Sequence, residues 1–260
     1  MLLPIGRAEK RARATSIIVY ALIIANILVY LMELAGGDDF ISGYAVVPWE
    51  ITHGVDLARP VFMRGIGIIP QAHGPTPIYF TLMTAMFMHS GWMHIGVNML
   101  YLWIFGGEIE EAFGHLEFLT FYLVCGLAAS FAQICMDPDS VIPSLGASGA
   151  IAGVLGAYLR MFPSNRIRVL APLGCLAIPI RLPAVVVIGL WIALQFFDEL
   201  VSITEHNAQT LNGGVAYMAH IGGFLTGLAL SFLWRGKEDI VAAKRASQAI
   251  RRDMDYYKPE

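Results

Sequence analysis

Long apolar runs decide what this chain can fold into. Six stretches, at about residues 16–34, 91–105, 116–136, 146–162, 182–201 and 213–234, are nearly free of charge and are separated by breakers or basic clusters. About 20 apolar residues in a helix cross a bilayer, where no water is available to satisfy an open backbone. The rest of the composition agrees. The chain has 260 residues, is 57% hydrophobic and only 14% charged, and has a mean hydropathy of +0.62. Soluble domains run near a quarter charged, so a soluble globular enzyme is excluded, as is a disordered chain poor in aromatics. The net charge of −3 offers no basic stripe for nucleic acid. Cys125, Cys135 and Cys175 are too scattered for a disulfide framework or a metal knuckle, and no cofactor is expected.

The first run follows Arg7, Lys10, Arg11 and Arg13, a charge pattern that signal peptides share. Its apolar length and the lack of a small-residue cleavage site before Gly36-Gly37 point instead to a retained first helix. The expected organisation is a cytoplasmic tail (1–15), a six-helix membrane domain (16–235) and a charged cytoplasmic tail (236–260). With the amino terminus inside, the inner segments hold 15 of the 17 Lys and Arg residues and the outer ones only Arg59 and Arg64. The positive-inside rule therefore places both termini in the cytoplasm. The first outer segment, Ala35 to Ile78, carries Pro48, Pro60, Pro70, Pro75 and Pro77, so it is not one helix. Trp49, Val61, Phe62, Ile66, Ile68 and Ile69 suggest that this loop lies against the membrane surface.

Polar groups inside such spans are costly and tend to mark function. Four stand out: His94 and Asn98 in the second span, Ser148 at the head of the fourth, and His220 in the sixth. At about 1.5 Å of rise per residue, His94 lies roughly 5 Å into its helix, and Asn98 and His220 roughly 10 Å into theirs. All four descend from the outer face and share one layer. His94 and Asn98, four residues apart, share a helix face. His89 falls off that face and is left out of the chemistry, though it can orient a neighbour. Ser148 lies among small residues in Gly146-Ala147-Ser148-Gly149, and Gly149 with Gly153 makes a close-packing pattern. Gly222, Gly223 and Gly227 favour a matching contact that would bring His220 toward Ser148. A serine needs a base, which His220 can supply, and a tetrahedral oxyanion needs donors, which His94, Asn98 and the Ser148 N–H can supply. No aspartate is placed as a third member, since Asp198 and Glu199 sit at the far end of the fifth span. What orients His220 is not visible.

These residues resemble the rhomboid intramembrane serine proteases of the bacterial six-helix form. The resemblance rests on Ile24 to Val29, Tyr44 to Pro48, Met88 to Met99, Gly106 to Glu111, Gly146 to Gly149 and Ala219 to Phe224, in family order over about residues 15–235. It implies an all-α polytopic bundle, with a long membrane-associated first loop, in the inner membrane of a bacterial cell. It also implies cleavage of single-pass transmembrane proteins in or near their span, with transmembrane substrates and the bilayer as partners. At matching positions Ser148 is the nucleophile, His220 the general base, and His94 and Asn98 the oxyanion donors, while Glu110 has a structural role. Two features depart from the family. Trp49 is followed by Glu50 where arginine is common, and Ala152 stands where many members carry an aromatic residue beside the histidine. Gating by the fifth helix and the Ser202 to Asn212 connection is implied by the same resemblance.

Competing chemistries lack their residues. An intramembrane metalloprotease needs His-Glu-x-x-His and an aspartyl protease two intramembrane aspartates, and neither is present. A transporter built from repeated halves finds no repeat here. A non-catalytic rhomboid-like protein that binds transmembrane helices is the remaining alternative, and such proteins typically lose the serine or histidine that this chain keeps. Substrate and oligomeric state are not legible.

Overall fold

The computed structural model describes residues 3–7, 16–63, 66–173, 176–204 and 217–234. The expected C-terminal tail (236–260), Arg64, Cys175 and most of the Ser202 to Asn212 connection lie outside these residues. The helices are α1 (Ile17–Tyr44), α2 (Pro48–His53), α3 (Thr81–Thr84), α4 (Trp92–Tyr101), α5 (Gly107–Phe113), α6 (His115–Met136), α7 (Ser148–Met161), α8 (Ala184–Thr204) and α9 (Tyr217–Leu230). The strands are β1 (Leu3–Arg7), β2 (Val61–Met63), β3 (Gly67–Ile69), β4 (Arg166–Leu173) and β5 (Leu176–Pro183). A π-helical turn, Leu102–Gly106, joins α4 to α5, so the second apolar run extends from Trp92 to Phe113 as one rod. Among the described residues, α1 and α6 are individually long and apolar enough to cross a membrane.

The all-α expectation needs a correction. Arg166–Leu173 and Leu176–Pro183 pair antiparallel, and Leu3–Arg7 adds to their edge as an antiparallel third strand in the order β1-β4-β5. Alternation explains it: Ile167 and Val169 are fully buried, whereas Arg166 and Arg168, which alternate with them, face out. A second strand pair, β2–β3, lies in the long first loop. There Phe62 and Ile68 stand opposite each other, 74% and 72% exposed. The first helix also runs past its expected end. Gly37, at φ 65° and ψ −156°, breaks the helical backbone, and the chain resumes a helix as far as Tyr44.

Carboxylates hold the helices where caps are missing. Ser16 makes no side-chain cap to α1, and the backbone N–H groups of Ile18 and Val19 instead donate to Glu110 Oε1 and Oε2, each at 2.9 Å. His115 Nδ1 also meets Glu110, at 2.5 Å. An anion at a helix N-terminus satisfies orphan donors and faces the positive end of the dipole. Glu108 similarly accepts from the Tyr158 hydroxyl at 2.9 Å and from Asn165 Nδ2 at 2.6 Å. These contacts tie α5 to α1, α7 and the start of β4.

Helices α6, α7 and α9 pack through small residues. A methyl group on Gly223 would overlap the Gly149 carbonyl, one on Gly227 the Gly153 carbonyl, and one on Gly156 the Phe224 carbonyl. Gly149 and Gly153 also abut Ala129 and Cys125 of α6. Without hydrophobic drive between helices in lipid, such backbone approach supplies the packing. It sets α7 and α9 in contact along the faces that carry Ser148 and His220.

Candidate functional site

Four elements build the site: the first turns of α4, α7 and α9, and the middle of α8. Ser148 is the first residue of α7. The loop before it is pinned by the Gly146 N–H donating to the Ala85 carbonyl at 2.8 Å and by the Val46–Ser144 bridge. A helix start leaves backbone N–H groups without intrahelical partners, so the first turn of α7 offers donors beside the hydroxyl.

Ser148 Oγ lies 2.7 Å from His220 Nε2. His220 is 8% exposed. Its other ring nitrogen, Nδ1, lies 2.6 Å from the carboxamide oxygen of Gln195 on α8. Trp191, one turn earlier on α8, sets its ring 5.7 Å from the imidazole, inclined by 44°. An aromatic neighbour therefore reaches the histidine from α8 and not from position 152. Gln133 on α6 accepts the Ala219 N–H at 3.3 Å, holding the backbone next to His220.

His94 faces the same space from α4. A Cβ on Gly146 would stand 3.2 Å from His94 Nε2 and 3.4 Å from Ser148 Oγ, so ring and hydroxyl converge across this one glycine. Gly146 has φ +136°, a conformation that side chains rarely adopt. Ser90, four residues before His94, brings its hydroxyl to 3.0 Å from His94 Nδ1, and its N–H donates to the same nitrogen at 3.4 Å. With Nδ1 accepting, the neutral ring carries its proton on Nε2, toward Ser148. Asn98 is buried one turn deeper on α4, and its Nδ2 finds no partner among the described residues. A buried donor without a partner is costly unless something else accepts from it. His89 is 1% exposed and packs edge-to-face on His94 at 5.1 Å, and its backbone N–H donates to both oxygens of buried Glu33 at 3.1 Å.

The structure thus brings together Ser148, His220 and His94, and it places Asn98 on the same helix as His94. Ser90, Glu33 and Gln195 were missed in the sequence. Glu33 and Gln195 carried the signal already applied to Asn98: a polar side chain inside an apolar run. Ser90 sits one helical turn before His94, the spacing at which side chains meet. Among the described residues no group of three or more His, Cys, Asp or Glu side chains could hold a metal ion. A nucleophile with a base at hydrogen-bond distance, and donors facing the nucleophile, is an arrangement suited to acyl transfer.

Within the first loop, Glu50 on α2 is 2% exposed and accepts the Leu57 N–H at 2.7 Å. Burial, reinforced by nearby Asp56 and opposed by that hydrogen bond, pushes its carboxyl up to about 7. Trp49 stacks on His53 with ring centroids 4.3 Å apart.

Comparison with known proteins gives one consistent result. Residues 77–237, more than half of the chain, match the family model described as the Rhomboid domain. The chain is 34% identical over 152 residues to "Rhomboid protease GluP" of Bacillus subtilis, covering 58% of this chain and 26% of that protein. It is 30% identical over 152 residues to "Rhomboid protein 1, mitochondrial" of Saccharomyces cerevisiae, covering 57% of this chain and 40% of the relative. It is 28% identical over 189 residues to "Rhomboid-like protein 11, chloroplastic" of Arabidopsis thaliana, covering 70% and 62%. The match spans less than two thirds of the length of each of these relatives.

Proposed function

The chain belongs to the rhomboid family of polytopic helical membrane proteins, and from that premise we propose that it is an intramembrane serine endopeptidase. It cleaves single-pass transmembrane proteins in or near their membrane span. The observation that carries this reading is the 2.7 Å approach of Ser148 Oγ to His220 Nε2. His220 accepts the hydroxyl proton as Oγ bonds to the scissile carbonyl carbon, and the carbonyl electron pair becomes an oxyanion. That charge is met by His94 Nε2–H, Asn98 Nδ2–H and the Ser148 N–H. Collapse of the intermediate breaks the C–N bond, and the leaving amine takes the proton from His220. Water then attacks the acyl-enzyme, with His220 again as base.

The setting proposed is the inner membrane of a bacterial cell, spanned by six helices with both termini cytoplasmic and the site open to the opposite side. The distribution of 15 basic residues against 2 supports that topology. Reconstituted wild-type protein cleaves a reporter transmembrane substrate, and Ser148→Ala and His220→Ala each lose at least 10³-fold in rate. A fluorophosphonate probe labels Ser148 alone. Undiminished cleavage by either variant overturns the reading.

A further inference from the structure

The base is held from outside the three small-residue helices. His220 lies on α9 and Ser148 on α7, yet the hydrogen-bond partner of the imidazole's other nitrogen belongs to α8. Gln195 Oε1 stands 2.6 Å from His220 Nδ1, and Gln195 is itself 7% exposed. Gln195 sits near the middle of α8, and its contact with Nδ1 puts the carboxamide at the level of the imidazole. Trp191 lies four residues earlier on the same face and sets its ring beside the same imidazole.

A carboxamide oxygen can only accept a hydrogen bond. With Oε1 facing it, Nδ1 carries the proton of the neutral ring, and Nε2 carries the lone pair. That is the one tautomer in which His220 can accept the Ser148 hydroxyl proton. The reversed carboxamide would donate to Nδ1, force the proton onto Nε2, and leave the serine facing a donor. The direction of a single amide therefore decides whether a base exists.

We propose that Gln195 is the positioning residue of this site: its Oε1 fixes the tautomer and the ring plane of His220, in the place where soluble serine hydrolases use a carboxylate. A neutral amide suits this depth, since an ionised carboxylate in the span is expensive. The role rests on the proteolytic reading for its rate test but not for its spectroscopic one.

Two measurements test it. In detergent-solubilised wild type with ¹⁵N-labelled histidine, the His220 resonances, assigned by loss in His220→Ala, report which nitrogen is protonated at neutral pH. Protonated Nδ1 with bare Nε2 is expected, and the opposite tautomer overturns the proposal whether or not the protein cleaves anything. In the reconstituted cleavage assay, Gln195→Met, unbranched and of similar volume, lowers kcat by roughly 10- to 10²-fold with KM within twofold and an unchanged thermal midpoint. Wild-type kcat in Gln195→Met, or a change confined to KM, overturns the assignment. Inert wild type, by contrast, counts against the proteolytic reading, and the tautomer then judges Gln195 alone.

Discussion

Gly146 is where chemistry and backbone meet, and Gly146→Ala separates the two. The added methyl would lie 3.1 Å from His94 Cε1, 3.2 Å from His94 Nε2 and 3.4 Å from Ser148 Oγ. An oxyanion accepting from His94 has to sit about 2.7–3.1 Å from the donor, in the volume that this methyl fills. Losing one such donor costs roughly 10²- to 10³-fold in kcat, about 2.7–4 kcal/mol. A second penalty falls on folding, because φ +136° in a residue with a side chain stores about 1–3 kcal/mol of strain. The expected result is a kcat at least 10²-fold lower with a thermal midpoint only a few degrees lower. Cleavage of a reporter in proteoliposomes at saturating substrate gives the first quantity, and tryptophan fluorescence on heating gives the second. A folded Gly146→Ala variant with kcat within threefold of wild type would refute the idea that His94 and Ser148 share one oxyanion pocket across this residue.

Asn98→Ala should lower kcat by roughly 10- to 10³-fold with little change in KM, as expected for a donor used in the transition state; a change confined to KM would make Asn98 a binding residue. Gly227→Ala should destabilise the protein by about 1–3 kcal/mol, since its methyl meets the Gly153 backbone with no flexible neighbour to yield; an unchanged thermal midpoint would contradict the packing. Glu50 supplies a pH test. Its carboxyl is raised to about 7 by burial, above the ordinary 4.5, so the folded loop binds the proton more tightly than the unfolded chain. Stability from this group is full below about 4.5 and is lost as pH rises through 7. Glu50→Gln should flatten the fall in thermal midpoint between pH 4.5 and 7.5, and an unaltered slope would show that another group carries it.

Much of the fold was legible because the bilayer leaves few choices. The run from Leu116 to Met136 differs from α6 by one residue at its start, since Gly114 and Asp137 bracket it. Ser148, His220 and His94 were legible because each is polar where lipid excludes polarity. Gln195 and Glu33 obey the same logic as Asn98 and were passed over. What orients His220 was invisible for a different reason: Trp191 and Gln195 reach it through helix packing, at a separation of 25 residues or more that no local spacing encodes. The strand pair β4–β5 was hidden by Pro172, Pro179 and Pro183, though Arg166 to Val169 alternates with strand period. The helix after Gly37 was missed because paired glycines read as an end and served as a bend.

The three-stranded sheet carries the widest consequence. Strands that share backbone hydrogen bonds occupy one compartment, and Leu3–Arg7 is paired with Arg166–Leu173. Between those segments the chain must therefore traverse the bilayer an even number of times. This parity comes from peptide groups and is independent of where the arginines lie. Moving either segment to the opposite aqueous phase would require the sheet to come apart.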